Sequence, residues 1–319
     1  MIQDERVVEK KLFPKDPEEI AKRMIKLKAG EVLQEERELV KGLQVTVTTD
    51  RLDSLGDVGI YPGPIPLPSE WSYGGEILRE ALLIRGKMEV KASVEADKHL
   101  AKAVDAIGDL NETINILSER LRDWYSLHYP EIFRGDDPVE LIREYGDRDS
   151  IQRVTGNSTE SLGSDIGDTE KILLTSLAGE ICTMREYRER LHSYVEDTMG
   201  EIAPNLMALT GPRLGGELIA HAGSLKRLAM MPSSTIQVLG AEKSLFRHLE
   251  KGTPPPKHGY ILQHPVVHRA RPGDRGKVAR AFANKIAIAA RMDHFGDEDR
   301  GDELKSSLER RVKEISGEP

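Results

Sequence analysis

Lys243, Arg247 and Lys251 recur every four residues in GAEKSLFRHLEK, so a helix over 241–251 brings three cations onto one outward stripe. Gly240 opens that helix, and Leu245, Phe246 and Leu249 are expected on its inward side. The free N–H groups and partial positive charge of the helix start, beside the stripe, suit a phosphate. A second helix is predicted from about Gly273 to Asp293. There Val278, Phe282, Ile286 and Ala289 face inward, while Lys277, Arg280, Asn284 and Arg291, at spacings of 3, 4 and 7, line the opposite face. The connector is rich in histidine and arginine (His258, His264, His268, Arg269, Arg271). The chemistry on offer is the holding of a polyanion by point charges.

The charge is concentrated. Between Gly240 and Arg291 eleven Lys or Arg face three acids, a net +8, inside a chain whose formal charge is −8; the remainder therefore holds −16. Catalytic signatures are weak by comparison. GPRLGGE (Gly211 to Glu217) is glycine-rich but lacks the Gly-Lys-Ser/Thr ending of a phosphate loop. No GxGxxG follows a strand, so a dinucleotide or S-adenosylmethionine fold has no support. His258, His264 and His268 straddle turn residues and Pro265 without a cysteine or HExxH partner, so RNA contact or local hydrogen bonding is expected there rather than metal. His221 reads as a packing residue. No cofactor and no metal are expected.

Composition bounds what must hold these residues in place. With 38% apolar, 31% charged and only 5% aromatic residues in 319, the balance favours long amphipathic helices over one large globular core. Cys182 is the only cysteine, so no intramolecular disulfide is available, and it reads as a buried small side chain. The N-terminus MIQDERVVEKKL is charged and has no signal-peptide core, and no apolar run reaches membrane-spanning length; a cytoplasmic protein with no membrane partner is expected.

Residues 1 to about 61 read as a small α/β module. Asp16 caps a helix that has Pro17 at its first position, Ile20, Met24 and Leu27 on its stripe, and Gly30 at its end. A short helix over Val32 to Val40 and a strand over Gln44 to Thr49 follow. Pro62, Pro64, Pro66 and Pro68 then fall at every second position, an extended linker and a domain boundary.

Next comes a heptad seam. Ala96, Leu100, Ala103, Ile107, Leu110, Ile114, Leu117, Leu121 and Trp124 alternate spacings of 4 and 3 on a helix predicted from near Tyr73 to before Pro130. A second seam holds Leu177, Ile181, Met184, Leu191, Val195 and Ile202, with Arg188 at one seam position. Between them lies a polar region, Gly135 to Asp168, with one short helix over Pro138 to Tyr145 capped by Asp137. The two seams can pair within one chain or between chains. A last amphipathic helix on Leu304, Leu308, Val312 and Ile315 follows an acidic run (Asp297, Glu298, Asp299, Asp302, Glu303).

GAEKSLFRHL, preceded by LIAHAGSLKRLAMMPSSTIQVL and followed by HPVVHRARPGDRGKVARAFANKIAIAARMD, resembles the Nop domain. That family supplies the scaffold subunit of archaeal box C/D ribonucleoproteins, with nucleolar Nop proteins and a spliceosomal assembly factor among its eukaryotic relatives. The resemblance extends upstream through RLRDWYSLHYPEIF (Arg120 to Phe133), SLGSDI (Ser161 to Ile166) and IAPNLMALTG (Ile202 to Gly211), and so covers roughly Glu76 to Asp293.

The residue patterns and the resemblance together give a mainly α chain: a small N-terminal α/β module at 1–68, an antiparallel coiled coil at 69–203, a helical Nop RNA-binding domain at 204–295, and an acidic tail with a short helix at 296–319. The resemblance covers the middle two. It implies a non-catalytic scaffold that binds a kink-turn guide RNA together with a small ribosomal-protein-like partner. That scaffold positions the methyltransferase fibrillarin for 2′-O-methylation of ribose, and it forms homodimers through the coiled coil. Gly240, Ala241, Glu242 and Lys243 match the family's GAEK element, which meets RNA and the small partner. Ser244, Leu245, Phe246 and Arg247 match its ALFR element, which abuts a guide duplex; serine here replaces alanine. His268, Arg269, Arg275, Lys277, Arg280, Asn284 and Lys285 complete the expected RNA face. About 60 residues is short for the fibrillarin-docking module, which carries no specific motif. Two alternatives are a coiled-coil adaptor working through protein contacts alone and a spliceosome-type assembly factor.

Overall fold

The structure is a computed structural model that describes residues 2–3, 6–61, 63, 67–134, 137–156, 160–296 and 298–317. It is mostly helical, and its contacts define two compact units, Met1–Val94 and Glu95–Pro319. No helix among the described residues is long and apolar enough to cross a membrane.

In the first unit β1 (Ile2–Gln3) pairs antiparallel with β2 (Arg6–Val7). Helix α1 (Pro17–Lys28) begins as its sequence dictates: Asp16 accepts the Glu18 N–H at 2.9 Å and Pro17 fills the first turn. In α2 (Gln34–Leu39) the Glu36 carboxylate accepts the Leu33 N–H at 2.9 Å and pairs with Arg51. The expected strand at 44–49 shrinks to β3 (Thr46–Val47), paired in parallel with β4 (Asp57–Val58). Pro62, Pro64 and Pro66 lie outside the described residues; Pro68 starts a 3₁₀ turn, Pro68–Trp71. Helix α3 (Gly75–Ala92) packs on α1 around Ile20, Tyr73 and Ala81.

One helix was expected from Tyr73 to Pro130, and the structure has two. Helix α3 closes at Ser93, whose N–H bonds the Glu89 carbonyl at 3.0 Å and whose hydroxyl donates to the Val90 carbonyl at 2.7 Å. A serine that bonds its own turn, followed by a β-branched valine, favours such a stop. The second unit then opens with α4 (Ala96–Tyr125). After a 3₁₀ turn at Pro130–Arg134 come α5 (Pro138–Tyr145), capped by Asp137, and α6 (Arg148–Thr155), capped by Asp147. The polar region thus holds one helix more than expected; residues 135, 136 and 157–159 of it lie outside the described residues.

Helix α7 (Asp168–Ile202) runs back along α4 as an antiparallel pair within the chain. Leu100 and Ala103, early in α4, share a core with Val195 and Met199, late in α7. Leu121 and Tyr125 share another with Leu174, Ala178 and Ile181. Ile107 and Ile114 are buried; Leu110, Leu117, Leu177, Met184 and Leu191 are half-buried. At the far end the seam departs from expectation. Trp124 is 40% exposed while Tyr125 is fully buried, its hydroxyl donating to the Gly146 carbonyl at 3.2 Å. An α-helix turns 3.6 residues at a time, so a stripe of period 3.5 drifts and the core face moves to the next residue. Arg188, the polar member of the second seam, donates to Asn111 Oδ1 on α4 at 3.2 Å and so fixes the register between the helices.

The rest of the unit is a helical cluster. Helix α8 (Pro204–Ala222) breaks at Gly211 (φ 72°), just before Pro212. After it come α9 (Leu225–Met230), α10 (Ser233–Val238), α11 (Glu242–Lys251), a 3₁₀ turn at Tyr260–Gln263 and the short α12 (Pro265–His268). Helix α13 (Arg275–Phe295) is the centre. Phe282 and Ile286 are wholly buried, and Ala279, Ala283, Ala287, Ala289 and Ala290 let its neighbours approach closely. Helix α14 (Gly301–Ser316) packs on α8 and α13 with Leu308 buried; a Cβ at Gly301 would strike Ala208. The Asp293 carboxylate, at the end of α13, accepts the N–H groups of Asn205 (2.9 Å) and Leu206 (2.8 Å) and so caps α8. The Asn205 side-chain oxygen in turn accepts the Arg300 N–H at 2.7 Å, which seats the start of α14.

Candidate nucleic-acid interface

The cationic segment is built as an arm on a fixed base. The chain leaves the core at buried Leu239 and returns at buried Ile261. Its two roots are stitched together: Gly259 N–H donates to the Gln237 carbonyl and Tyr260 N–H to the Leu239 carbonyl, each at 2.8 Å. The Gln237 side chain adds a bond to the Lys257 carbonyl at 2.8 Å. Both roots need glycine. Gly240 has φ +85° and its missing Cβ would collide with the Tyr260 ring, while a Cβ on Gly259 would collide with the Leu239 carbonyl. Tyr260 itself stacks on His221, centroids 4.2 Å apart, so the His221 ring packs at the foot of the arm although the residue is exposed.

On the arm, α11 exposes Lys243, Arg247 and Lys251 along one stripe, and none has a hydrogen-bond or ion-pair partner among the described residues. The expectation about its apolar residues is overturned. Phe246 is 63% and Leu249 70% exposed, because the arm brings no second element alongside to cover them. The side chain of Leu245 lies outside the described residues. Glu242 turns back to accept the Gly240 N–H at 2.7 Å, so a carboxylate already serves the helix start expected to suit a phosphate. Ala241 is half-buried and Ser244 exposed, its N–H bonded to the Ala241 carbonyl at 3.0 Å.

Helix α13 follows its pattern. Val278, Phe282, Ile286 and Ala289 are buried, and Lys277, Arg280, Asn284 and Arg291 are exposed along the opposite face. The cations differ in how free they are. Arg280 has no partner among the described residues, whereas Lys277 pairs with Asp274 (3.1 Å) and Arg291 reaches the Met231 carbonyl (3.3 Å). Lys285 donates to Ser307 of α14 at 2.8 Å. Arg275 is half-buried and fastens the connector, donating to the carbonyls of His268 (3.1 Å) and Ala270 (3.4 Å). The side chains of His268 and Arg269 are exposed.

The connector histidines have separate jobs. His264 accepts the Val266 N–H on Nδ1 at 3.3 Å, capping α12, and its ring lies 4.6 Å from Phe282. Burial, with Lys305 adding to it, lowers its pKa below the ordinary histidine value, so the neutral ring that can accept is the favoured form. Burial likewise lowers that of His258. Asp293 moves the other way, burial raising it despite its three donors.

The structure thus brings 240–247 together on one arm and Lys277, Arg280 and Asn284 on one helix face, and it turns Arg275 and Lys285 inward to structural partners. Sequence reasoning missed Tyr260 and Gly259, whose only signal is an aromatic next to a glycine at the far root of a long loop. It also missed Asn205 with Asp293, which no local pattern links.

Such a surface can neutralise phosphates with unpaired cations and offer Phe246 for stacking. Residues 106–314 match a family model described as "Nop: snoRNA binding domain, fibrillarin". An uncharacterized NOP5 family protein of Methanocaldococcus jannaschii is 43% identical over 239 residues, covering 69% of this chain and 58% of that protein. Nucleolar protein 56 of Caenorhabditis elegans is 34% identical over 250 residues, covering 69% and 51%. The chain spans about half the length of these curated relatives. A crystal structure of a fibrillarin/Nop5p complex matches with 27% identity and a TM-score of 0.46, over 86% of this chain and 95% of the matched one.

Proposed function

The chain belongs to the Nop family, and from that membership we propose that it is an RNA-binding component of a box C/D ribonucleoprotein. In this reading it acts as a scaffold. It grips a kink-turn guide RNA already bound by a small ribosomal-protein-like protein, and it positions fibrillarin, to which the methyl transfer to a ribose 2′-hydroxyl belongs. The first unit is the fibrillarin-docking module and the α4–α7 pair the site of homodimerisation. Gly240 to Lys243 meet the RNA and the small partner, and Ser244 to Arg247 abut the end of a guide duplex. His268, Arg269, Lys277, Arg280 and Asn284 line the phosphate path, with Arg275 shaping it from behind.

The observation that carries the proposal is the arm: three cations without partners among the described residues flank an exposed Phe246 on a base held by paired backbone bonds. Shape recognition with backbone contacts is how structured RNA is read. Binding to a kink-turn RNA loaded with its small partner is therefore expected to fall steeply with salt. About four to six phosphate contacts give a log–log slope of roughly −3 to −5. Replacing Lys243 and Arg247 together by alanine is expected to abolish ternary assembly and leave the fold intact by circular dichroism. A flat salt response, or equal binding to a straight duplex, overturns the proposal.

A further inference from the structure

Helix α14 does more than cover the core. Between it and α13 lies a cleft of about 590 Å³, inside the range that holds small ligands. Its wall continues the exposed face of α13, since Ile288 follows Asn284 at helical spacing and lines the cleft. Half-buried Met292 and Leu304 add apolar surface beside the exposed Ile288. Lys285 lines it with its ammonium on Ser307 Oγ at 2.8 Å. Arg310 lines it too, exposed and without a partner among the described residues. Two acids are present, Asp302 and Glu303, and Arg300 takes the Glu303 carboxylate at 2.6 Å.

Apolar wall and unpaired cation together match the two halves of a nucleotide. Resting on the RNA-binding reading above, we propose that this cleft seats one unpaired nucleotide of the RNA held by α13. The base lies against Ile288, Met292 and Leu304, and the phosphate is held by Arg310 and Lys285, which leaves its resting partner Ser307. The last helix, outside the run of residues that first marked the cationic segment, is then part of the nucleic-acid surface. Continuity decides the occupant: the cleft is reached along Lys277, Arg280 and Asn284, a path whose free charge is positive. An acidic peptide would use the cations but leave the apolar wall without a planar partner.

The experiment uses the full chain with a kink-turn guide RNA preloaded with its small protein partner, and reads the salt dependence of binding. Losing one phosphate contact lowers the magnitude of the log–log slope by about one. Arg310→Ala and Lys285→Ala are each expected to do this, and Ile288→Asp to weaken binding at every salt concentration. Ser307→Ala keeps the cation and is expected to hold the wild-type slope. If it reproduces Lys285→Ala, the lysine serves only to fasten α14 and the proposal falls. Wild-type slopes for both cation variants also overturn it, provided the Lys243/Arg247 double variant still loses assembly. Should that double variant bind normally as well, the RNA-binding reading itself has failed.

Discussion

The arm at 241–258 and helix α13 carry similar patterns and meet opposite fates. Each has cations on one face and apolar residues on another. On α13 the apolar face meets α8, α9, α10 and α14, and Phe282 is fully buried. On α11 the same kind of residue, Phe246, stays largely in solvent. Periodicity states which residues share a face; it does not state whether the chain itself supplies something to cover that face. Where it does not, and the base of the segment is held rigidly, an exposed aromatic among unpaired cations marks a surface kept for something else.

The contrast is sharpest in stability. Phe282→Ala removes a fully buried ring from the centre of the helical cluster, and large-to-small changes of this kind cost about 3–5 kcal/mol. Urea denaturation of the full chain reads this as a lower midpoint for the second unit. A loss below about 1 kcal/mol would mean that α13 is not the central element and that the comparison is drawn in the wrong place.

Next comes the base of the arm. Gly259→Ala places a methyl group against the Leu239 carbonyl, which is backbone and cannot swing aside. A cost of about 1–3 kcal/mol is expected for the overpacking there. Loss of slow amide exchange at Gly259 and Tyr260 should accompany it, since those N–H groups hold the roots together. Unchanged protection in the variant would show that the arm is not anchored by this pair.

The sequence displays some of this and hides the rest for reasons that can be named. Helix α13 is legible because its apolar residues repeat at 3.6 and the core obeys the repeat. The start of α1 is legible because Asp16 and Pro17 act within one turn. The α4–α7 pairing is legible except where helix drift passes burial from Trp124 to Tyr125. The break at Ser93 depends on a single turn closing on itself, a signal too weak to outweigh the flanking helix formers. The Asn205–Asp293 cap joins positions 88 residues apart, and nothing local announces it. The arm's cations are legible and the fate of its apolar face is not, since no described element packs alongside to cover it.

A smaller effect concerns pH. The folded state holds His264 below its ordinary value, whereas the unfolded chain titrates near pH 6.5. As pH falls through about 6.5 the unfolded state gains protons that the folded state refuses, so stability drops, and it levels off once the folded pKa is passed. His258 contributes in the same direction. Denaturation midpoints are therefore expected to fall between pH 8 and pH 5.5, and His264→Gln, which cannot titrate, should flatten that slope. An equally steep slope in the variant would place the titrating group elsewhere, and the connector would no longer count with α13 as core.

The smallest effect on stability is also the most informative. Phe246→Ala removes a ring that touches water more than protein, so stability should change by no more than about 0.5 kcal/mol. The same change is expected to weaken binding to the loaded kink-turn RNA, because base–aromatic stacking contributes about 1–3 kcal/mol per base. A core residue shows the reverse ordering, losing stability first and binding only as a consequence. If the variant melts as early as Phe282→Ala, α11 packs against something in the folded chain, and its exposed face is not a reserved surface. If it melts normally and binds normally, the arm's work is done by Lys243 and Arg247 alone.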